Sequence, residues 1–392
     1  MLFASSFSAV ALACLSIGAH AAAIHRRDTV PGNSANFTSL VVFGDSFSDT
    51  GNVFKAYGIP QPPYYQGRYS NGPNWVDHLA TRLNATMNNH AYGGAVASKA
   101  LLPEGAQYKH AAFPPDISEQ LAAFLANNTV YPDPATTLYP LFAGANDYTQ
   151  SLGAGGLPNP KDIATAVADF IRKLRASPLK AQNIVVLLLP DFGKTPLISM
   201  SKTAQPGEQA LATALTATHN SILTQQIADI QQNDTTIQIS TVDLVKLIQD
   251  VQASTNSSGF RNFTAPCLTL KPDANVNSTD QSRDINNLNI CSTPDEYLYW
   301  DFIHPTTRAH KFVGDAAYAA LSAPRALVGG STSTNSTNST TTGAGGNSTN
   351  STTGGSGGAS GTQKSAAATI AVGFTGAASI LPVLFAAVAF AL

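Results

Sequence analysis

The chain has 392 residues, a formal charge of −2 and 12% charged residues, which leaves no basic surface to draw in phosphate and excludes nucleic acid as an expected partner. Its three cysteines form no CxxC pair and it contains no HExxH helix, so neither a metal nor a cofactor is expected. The length suffices for a sizeable core.

In chain order, residues 1–23 are apolar and small and end in Ala19-His20-Ala21, the pattern of a cleaved secretory signal peptide. Residues 24–35 form a stub holding Arg26-Arg27, which reads either as a processing site or as an exposed charged end. Residues 36–327 are expected to be one globular unit without an internal repeat or linker. Apolar, β-branched runs at 40–43, 137–142, 184–189 and 237–242 predict strands buried on both faces of a parallel sheet.

Helical patterns lie between them at 75–83, 162–176 and 208–231. The second carries a stripe of Ile163, Val167, Phe170, Ile171 and Leu174, and the third one of Leu211, Leu215, Ile222, Ile227 and Ile230. Alternating strand and helix predicts an α/β fold, a three-layer αβα sandwich around a mostly parallel sheet. Its active residues should then sit at the carboxyl ends of the strands. Sequons at Asn36, Asn84, Asn127, Asn233, Asn256, Asn262 and Asn277 are expected on loops or element ends.

Residues 328–361 are almost wholly Ser, Thr, Asn and Gly, with further sequons at Asn335, Asn338, Asn347 and Asn350, and are expected to be a disordered, glycosylated stalk. Residues 362–392 pass from a short polar patch into an apolar tail with no basic residue after it. With the small-residue cluster from Ser356 to Gly361 this is the layout of a glycolipid-anchor signal, an ordinary terminal span being the competing reading. Both place the globular part outside the cell. Once Cys14 leaves with the leader, Cys267 and Cys291 remain, an even number in an oxidising compartment, and they are expected to pair.

The strand ends carry the chemistry. The first runs into Gly44-Asp45-Ser46, a run near 89–94 ends in Gly93-Gly94, and the strand at 137–142 leads to Gly144-Ala145-Asn146-Asp147. Far downstream lies Trp300-Asp301-Phe302-Ile303-His304-Pro305. Singly these are ordinary caps and turns; together they supply each role of acyl transfer. Ser46 needs a base, which His304 provides, and Asp301 can orient that base and stabilise its charged form. The backbone N–H groups of Ser46 and Gly94 and the side-chain amide of Asn146 are candidate donors to an oxyanion, with Gly93 an alternative to Gly94. Asp45, Asp49 and Asp147 read as loop-shaping acceptors, and His78 and His219 as structural histidines.

These four blocks, in this order, resemble the GDSL esterase/lipase family, also called SGNH hydrolases. The resemblance covers nearly all of the globular part and implies a flavodoxin-like SGNH hydrolase fold. It implies Ser46 as nucleophile, Asp301 and His304 as its partners, and Gly94 and Asn146 as oxyanion donors. The family's leucine after the serine is Phe47 here. The segment "GRYSNGPNWVDHLA" at 67–80 is similar to plant members and to a fungal branch of carbohydrate acetylesterases.

By resemblance the expected activity is hydrolysis of short acyl esters, acetyl on plant cell-wall carbohydrate above all, by a secreted monomer held at the cell surface by its lipid anchor. A lipid acylhydrolase with the same triad and an inactive surface protein are the alternatives. No long amphipathic segment for docking at a membrane surface is visible in the globular part, which weighs against lipid. Phe54, Tyr57, Tyr64, Tyr65 and Tyr69 are candidates for stacking on sugar or lining an acyl pocket.

Overall fold

The structure is a computed structural model that describes residues 36–201, 207–271 and 287–322. The leader, stub, stalk, tail and Asn277 lie outside the described residues.

Five segments form one sheet: β1 (Ser39–Gly44), β2 (Thr86–Asn89), β3 (Thr137–Phe142), β4 (Asn183–Leu188) and β5 (Gln238–Asp243). All pairings are parallel, in the order β2-β1-β3-β4-β5. β3 lies between β1 and β4 and every one of its residues is buried, which is why it reads as an unbroken apolar run. The segment near 89–94 is a strand only as far as Asn89; from His90 onward the chain is loop.

The helices are α1 (Asn52–Tyr57), α2 (Trp75–Leu83), α3 (Ile117–Asn127), α4 (Ala145–Gly153), α5 (Pro160–Ala176), α6 (Pro196–Ser199), α7 (Glu208–Asn233), α8 (Leu244–Ala253), α9 (Thr255–Ser258) and α10 (Thr307–Ser322). α2, α8 and α10 pack on one face of the sheet, and α3, α5 and α7 on the other. The predicted stripe of α5 is buried in full. That of α7 is not: the buried line is Thr216, His219, Leu223, Ile227 and Ile230, while Leu211, Leu215 and Ile222 are half-exposed. Two polar residues take the inner face because each has a partner there. Thr216 Oγ1 accepts from the Phe192 N–H at 3.3 Å, and His219 Nδ1 meets the Tyr148 hydroxyl at 3.1 Å.

A satellite layer follows the sheet: β6 (Asn262–Pro266) pairs with β9 (Tyr297–Tyr299), and β7 (Leu268–Leu270) with β8 (Leu288–Ile290). Cys267 and Cys291 are bonded here, 24 residues apart. The disulfide packs in a small core with Tyr64, Leu268, Leu288 and Trp300. Asn36, Asn84, Asn127, Asn233 and Asn262 stand at element ends or in the first loop, and Asn256 on the short, exposed α9.

In a 2-1-3-4-5 sheet the connection reverses direction between β1 and β3, and the crevice outside their carboxyl ends is where such folds bind ligands. Ser46 and Asn146 follow β1 and β3 directly.

Candidate active site

The polar turn after β1 is held by its own aspartates. Asp45 Oδ1 accepts from the Phe47 N–H at 3.0 Å. Asp49 gathers four N–H groups, from Gly51, Asn52, Val53 and Gly93, at 2.6–3.2 Å. The last of these separates the two glycines: the Gly93 N–H is spent on Asp49, whereas the Gly94 N–H has no protein acceptor among the described residues and Gly94 lines the cleft. Each glycine is needed for its own reason. A Cβ on Gly93 would lie 2.3 Å from the Tyr69 hydroxyl, and Gly94 has φ +79°, a conformation side chains resist.

Asn146 sits in the first turn of α4, where unpaired backbone N–H groups and the helix dipole already favour negative charge. Its side-chain amide donates one hydrogen to Ala95 O at 2.9 Å, leaving the second for the cleft. Asp147 accepts from the N–H groups of Ala97 and Ser98 at 2.7 and 3.3 Å. The turn that begins α4 is thus pinned to the chain just beyond Gly94, and the two candidate donors are set by one network.

His304 arrives on the loop between β9 and α10. Its Nε2 is 2.9 Å from Ser46 Oγ, and its Nδ1 is 2.8 Å from Asp301 Oδ2. Asp301 Oδ1 accepts from the Ile303 and His304 N–H groups at 2.9 and 2.7 Å. The three-residue spacing therefore works through a tight bend, not the helical turn that the spacing also permits. Burial alone would raise the pKa of Asp301, but the charge of His304, its ring bond and the two backbone bonds outweigh burial, so the carboxyl lies below its ordinary value. With an ionised acceptor on Nδ1–H, Nε2 is left as the acceptor for the Ser46 hydroxyl.

Tyr64, a candidate for sugar or acyl contact in the sequence, is instead a partner of Asp301. Its hydroxyl donates to Asp301 Oδ2 at 2.8 Å. Burial, and after it the Asp301 charge, pushes the phenol well above its ordinary pKa, so it stays a donor. Nothing in "QPPYYQ" announces this, because the partner is 237 residues away. Tyr69 is also buried, its ring 5.1 Å from that of His304, while Phe54, Tyr57 and Tyr65 are exposed.

The segment at 67–80 braces the two halves of the site. Trp75 Nε1 donates to Ser48 Oγ at 3.0 Å, and Asn74 Nδ2 to Asp49 O at 2.9 Å. Ser70 Oγ donates to Pro305 O at 2.9 Å, and Asn71 Oδ1 accepts from the Thr307 N–H at 2.8 Å. One stretch of chain thereby ties the Ser46 turn to the His304 loop.

The site opens into a cleft with about 720 Å³ of empty space, which includes solvent at its mouth. Beside Ser46, Gly94, Asn146 and His304, its walls are mainly Phe47, Tyr108, Phe142, Phe192, Leu197 and Ile303. Asp45 is buried at its base, one carboxylate oxygen unpartnered, and burial raises its pKa to about 8. Asp147 is raised to about 7 by the same cause. Both are neutral acids over much of the range in which Asp301 is charged.

The chain is similar in sequence to several known proteins. A thermolabile hemolysin of Vibrio parahaemolyticus is 27% identical over 282 residues, which cover 70% of this chain and 62% of the hemolysin. A phosphatidylcholine-sterol acyltransferase of Aeromonas hydrophila is 26% identical over 343 residues, 78% of this chain and 94% of that one. A GDSL esterase/lipase of Arabidopsis thaliana is 25% identical over 328 residues, 73% and 87% of the two. Among solved structures, a family two carbohydrate esterase from Clostridium thermocellum is similar at 14% identity and TM-score 0.36, covering 72% of this chain and 62% of its own. The model of the GDSL-like Lipase/Acylhydrolase family matches residues 40–317, from β1 into α10, and the chain belongs to that family.

Proposed function

We propose that the protein is a serine carboxylic-ester hydrolase working through an acyl-enzyme. The observation that carries this is the unbroken chain Ser46 Oγ, His304 Nε2, His304 Nδ1, Asp301 Oδ2, with links of 2.9 and 2.8 Å, beside free donors at Gly94 and Asn146. Ser46 Oγ attacks the acyl carbon while His304 Nε2 takes its proton, and the carbonyl electrons move onto oxygen facing Ser46 N–H, Gly94 N–H and Asn146. As the C=O re-forms, the alcohol departs with the proton from His304. A water then repeats the attack, giving up its proton to His304, and releases the carboxylic acid and the restored Ser46 hydroxyl.

The apolar cleft wall favours an acyl group longer than acetyl, since one methyl would leave most of that wall uncovered. Acetyl on plant cell-wall carbohydrate, within a fungal acetylesterase-like branch, is the second reading. The exposed rings of Phe54, Tyr57 and Tyr65 favour it, as stacking surfaces for sugar. Secretion and a lipid-anchored, glycosylated surface form belong to the same proposal, supported by the Cys267–Cys291 bridge and by sequons at element ends.

The test is hydrolysis of nitrophenyl acetate, butyrate and palmitate by the protein and its Ser46→Ala variant. The variant is expected to lose kcat by at least ~10⁴-fold. Equal rates in the two proteins would remove Ser46 from the mechanism.

A further inference from the structure

Behind the cleft lies a second, partly open pocket between α8, β9 and α10, with about 510 Å³ of empty space that includes solvent at its mouth. It shares three walls with the cleft, the side chains of Phe47, Pro190 and Ile303. Its remaining walls include Leu247 and Val251 of α8, Phe260, and Phe312 of α10. Tyr299 is the one residue lining it whose side chain has a polar atom. α8 follows β5 without a connecting loop, yet of its ten residues only Leu244 and Val251 are buried. Leu247 and Ile248 present a half-buried apolar face to the pocket, packed against the small cluster of Val251, Phe260, Leu298, Tyr299 and Ala309.

We propose that this cavity receives the distal part of the substrate's acyl chain, which enters between Phe47 and Ile303 from an ester carbon placed at Ser46. The proposal rests on ester hydrolysis at Ser46 and specifies the acyl class, a flexible aliphatic chain of more than about four carbons. The shared walls select this occupant: Phe47 follows Ser46 directly, and Ile303 directly precedes His304, so they stand beside the reacting atoms. Phe47 is itself held against Phe142 and His310, at ring distances of 4.6 and 4.8 Å, which sets the width of the junction. The polar ends of the cleft, at Thr149 and Gln150, lie in the part not shared with the cavity and suit the alcohol portion better.

Each methylene that moves from water into the cavity should raise kcat/KM about fourfold. The experiment compares nitrophenyl acetate and octanoate for the full protein, for Leu247→Trp, which fills the cavity, and for Gln249→Trp on the exposed face of the same helix. The octanoate-to-acetate ratio of kcat/KM should exceed one in the wild type, fall at least tenfold in Leu247→Trp and stay at the wild-type value in Gln249→Trp. Fluorescent fatty-acid binding to the Ser46→Ala protein supplies a readout independent of turnover. It should saturate, be displaced by octanoate, and be lost when Leu247→Trp is added.

Binding without hydrolysis of any ester would uphold the cavity and overturn the role of Ser46. Hydrolysis of acetate, with neither fatty-acid binding nor a response of the ratio to Leu247→Trp, would uphold Ser46 and overturn the cavity. An unresponsive ratio together with a dimer that Leu247→Trp dissociates would give the cavity to a second copy of the chain and equally overturn the proposal.

Discussion

Two buried hydroxyl and carboxyl groups near Ser46 make the strongest single-residue predictions. Tyr64 donates to the oxygen of Asp301 that also takes His304, so Tyr64→Phe leaves a buried carboxylate short of one partner. The loss should cost about 2 kcal/mol of stability, as for hydrogen bonds to charged groups, and lower kcat more than it changes KM. Urea unfolding and steady-state kinetics on the same variant check both. Asp45 acts in the opposite sense. Its folded pKa, about 8, lies above the ordinary 3.8, so the stability that goes with its neutral form is complete below pH 3.8 and is lost as pH rises through 8. Asp45→Asn keeps an acceptor for the Phe47 N–H and removes that loss. The Tm of the wild type should therefore fall from pH 5 to pH 8 more than that of Asp45→Asn; parallel curves would show that Asp45 does not titrate in this window.

At the scale of elements, the sheet brings Ser46 and the candidate donors Gly94 and Asn146 together, and short side-chain bridges hold them in register. Asn74 does this twice, capping α2 through the Asp77 N–H and donating to Asp49 O beneath the Ser46 turn. Asn74→Ala should cost roughly 1–2 kcal/mol for the cap alone. It should also reduce kcat, because Asp49 carries the Gly93 N–H that leaves Gly94 free. A variant with lowered stability and unchanged kcat would confine Asn74 to the cap. The strands β1 and β3 were legible because burial on both faces writes a continuous apolar run, and α5 because one face alone is buried. The inner line of α7 was not legible. Thr216 and His219 are buried for partners outside the helix, Phe192 and, on α4, Tyr148, which no period within the helix can reveal.

At the scale of the molecule, the satellite layer carries the second half of the site. The disulfide packs with Tyr64 and Trp300, and the Leu268 N–H donates to Trp300 O at 2.7 Å, one residue before Asp301. Closing a loop of this length is worth about 3 kcal/mol in the chain-entropy treatment. Cys291→Ser should therefore lower Tm by several degrees, as that loss implies for a domain of this size. It should also weaken turnover, because the layer that orients Asp301 and Tyr64 loosens. Calorimetry beside kinetics checks this; a fall in Tm with kcat untouched would separate the bridge from the site.

The α/β class, the parallel sheet and the candidates Ser46, Asn146, Asp301, His304 and one glycine of the Gly93-Gly94 pair follow from the sequence alone. Apolar periodicity records burial locally, and the chemistry of acyl transfer demands particular residue types at strand ends. Which glycine N–H is left without a protein acceptor, the Tyr64 hydroxyl on Asp301, the burial of Asp45 and the pocket behind Ile303 were decided by the tertiary structure. Each depends on groups far apart in the chain meeting in a place shielded from water, where one hydrogen bond given or withheld changes what a group can do.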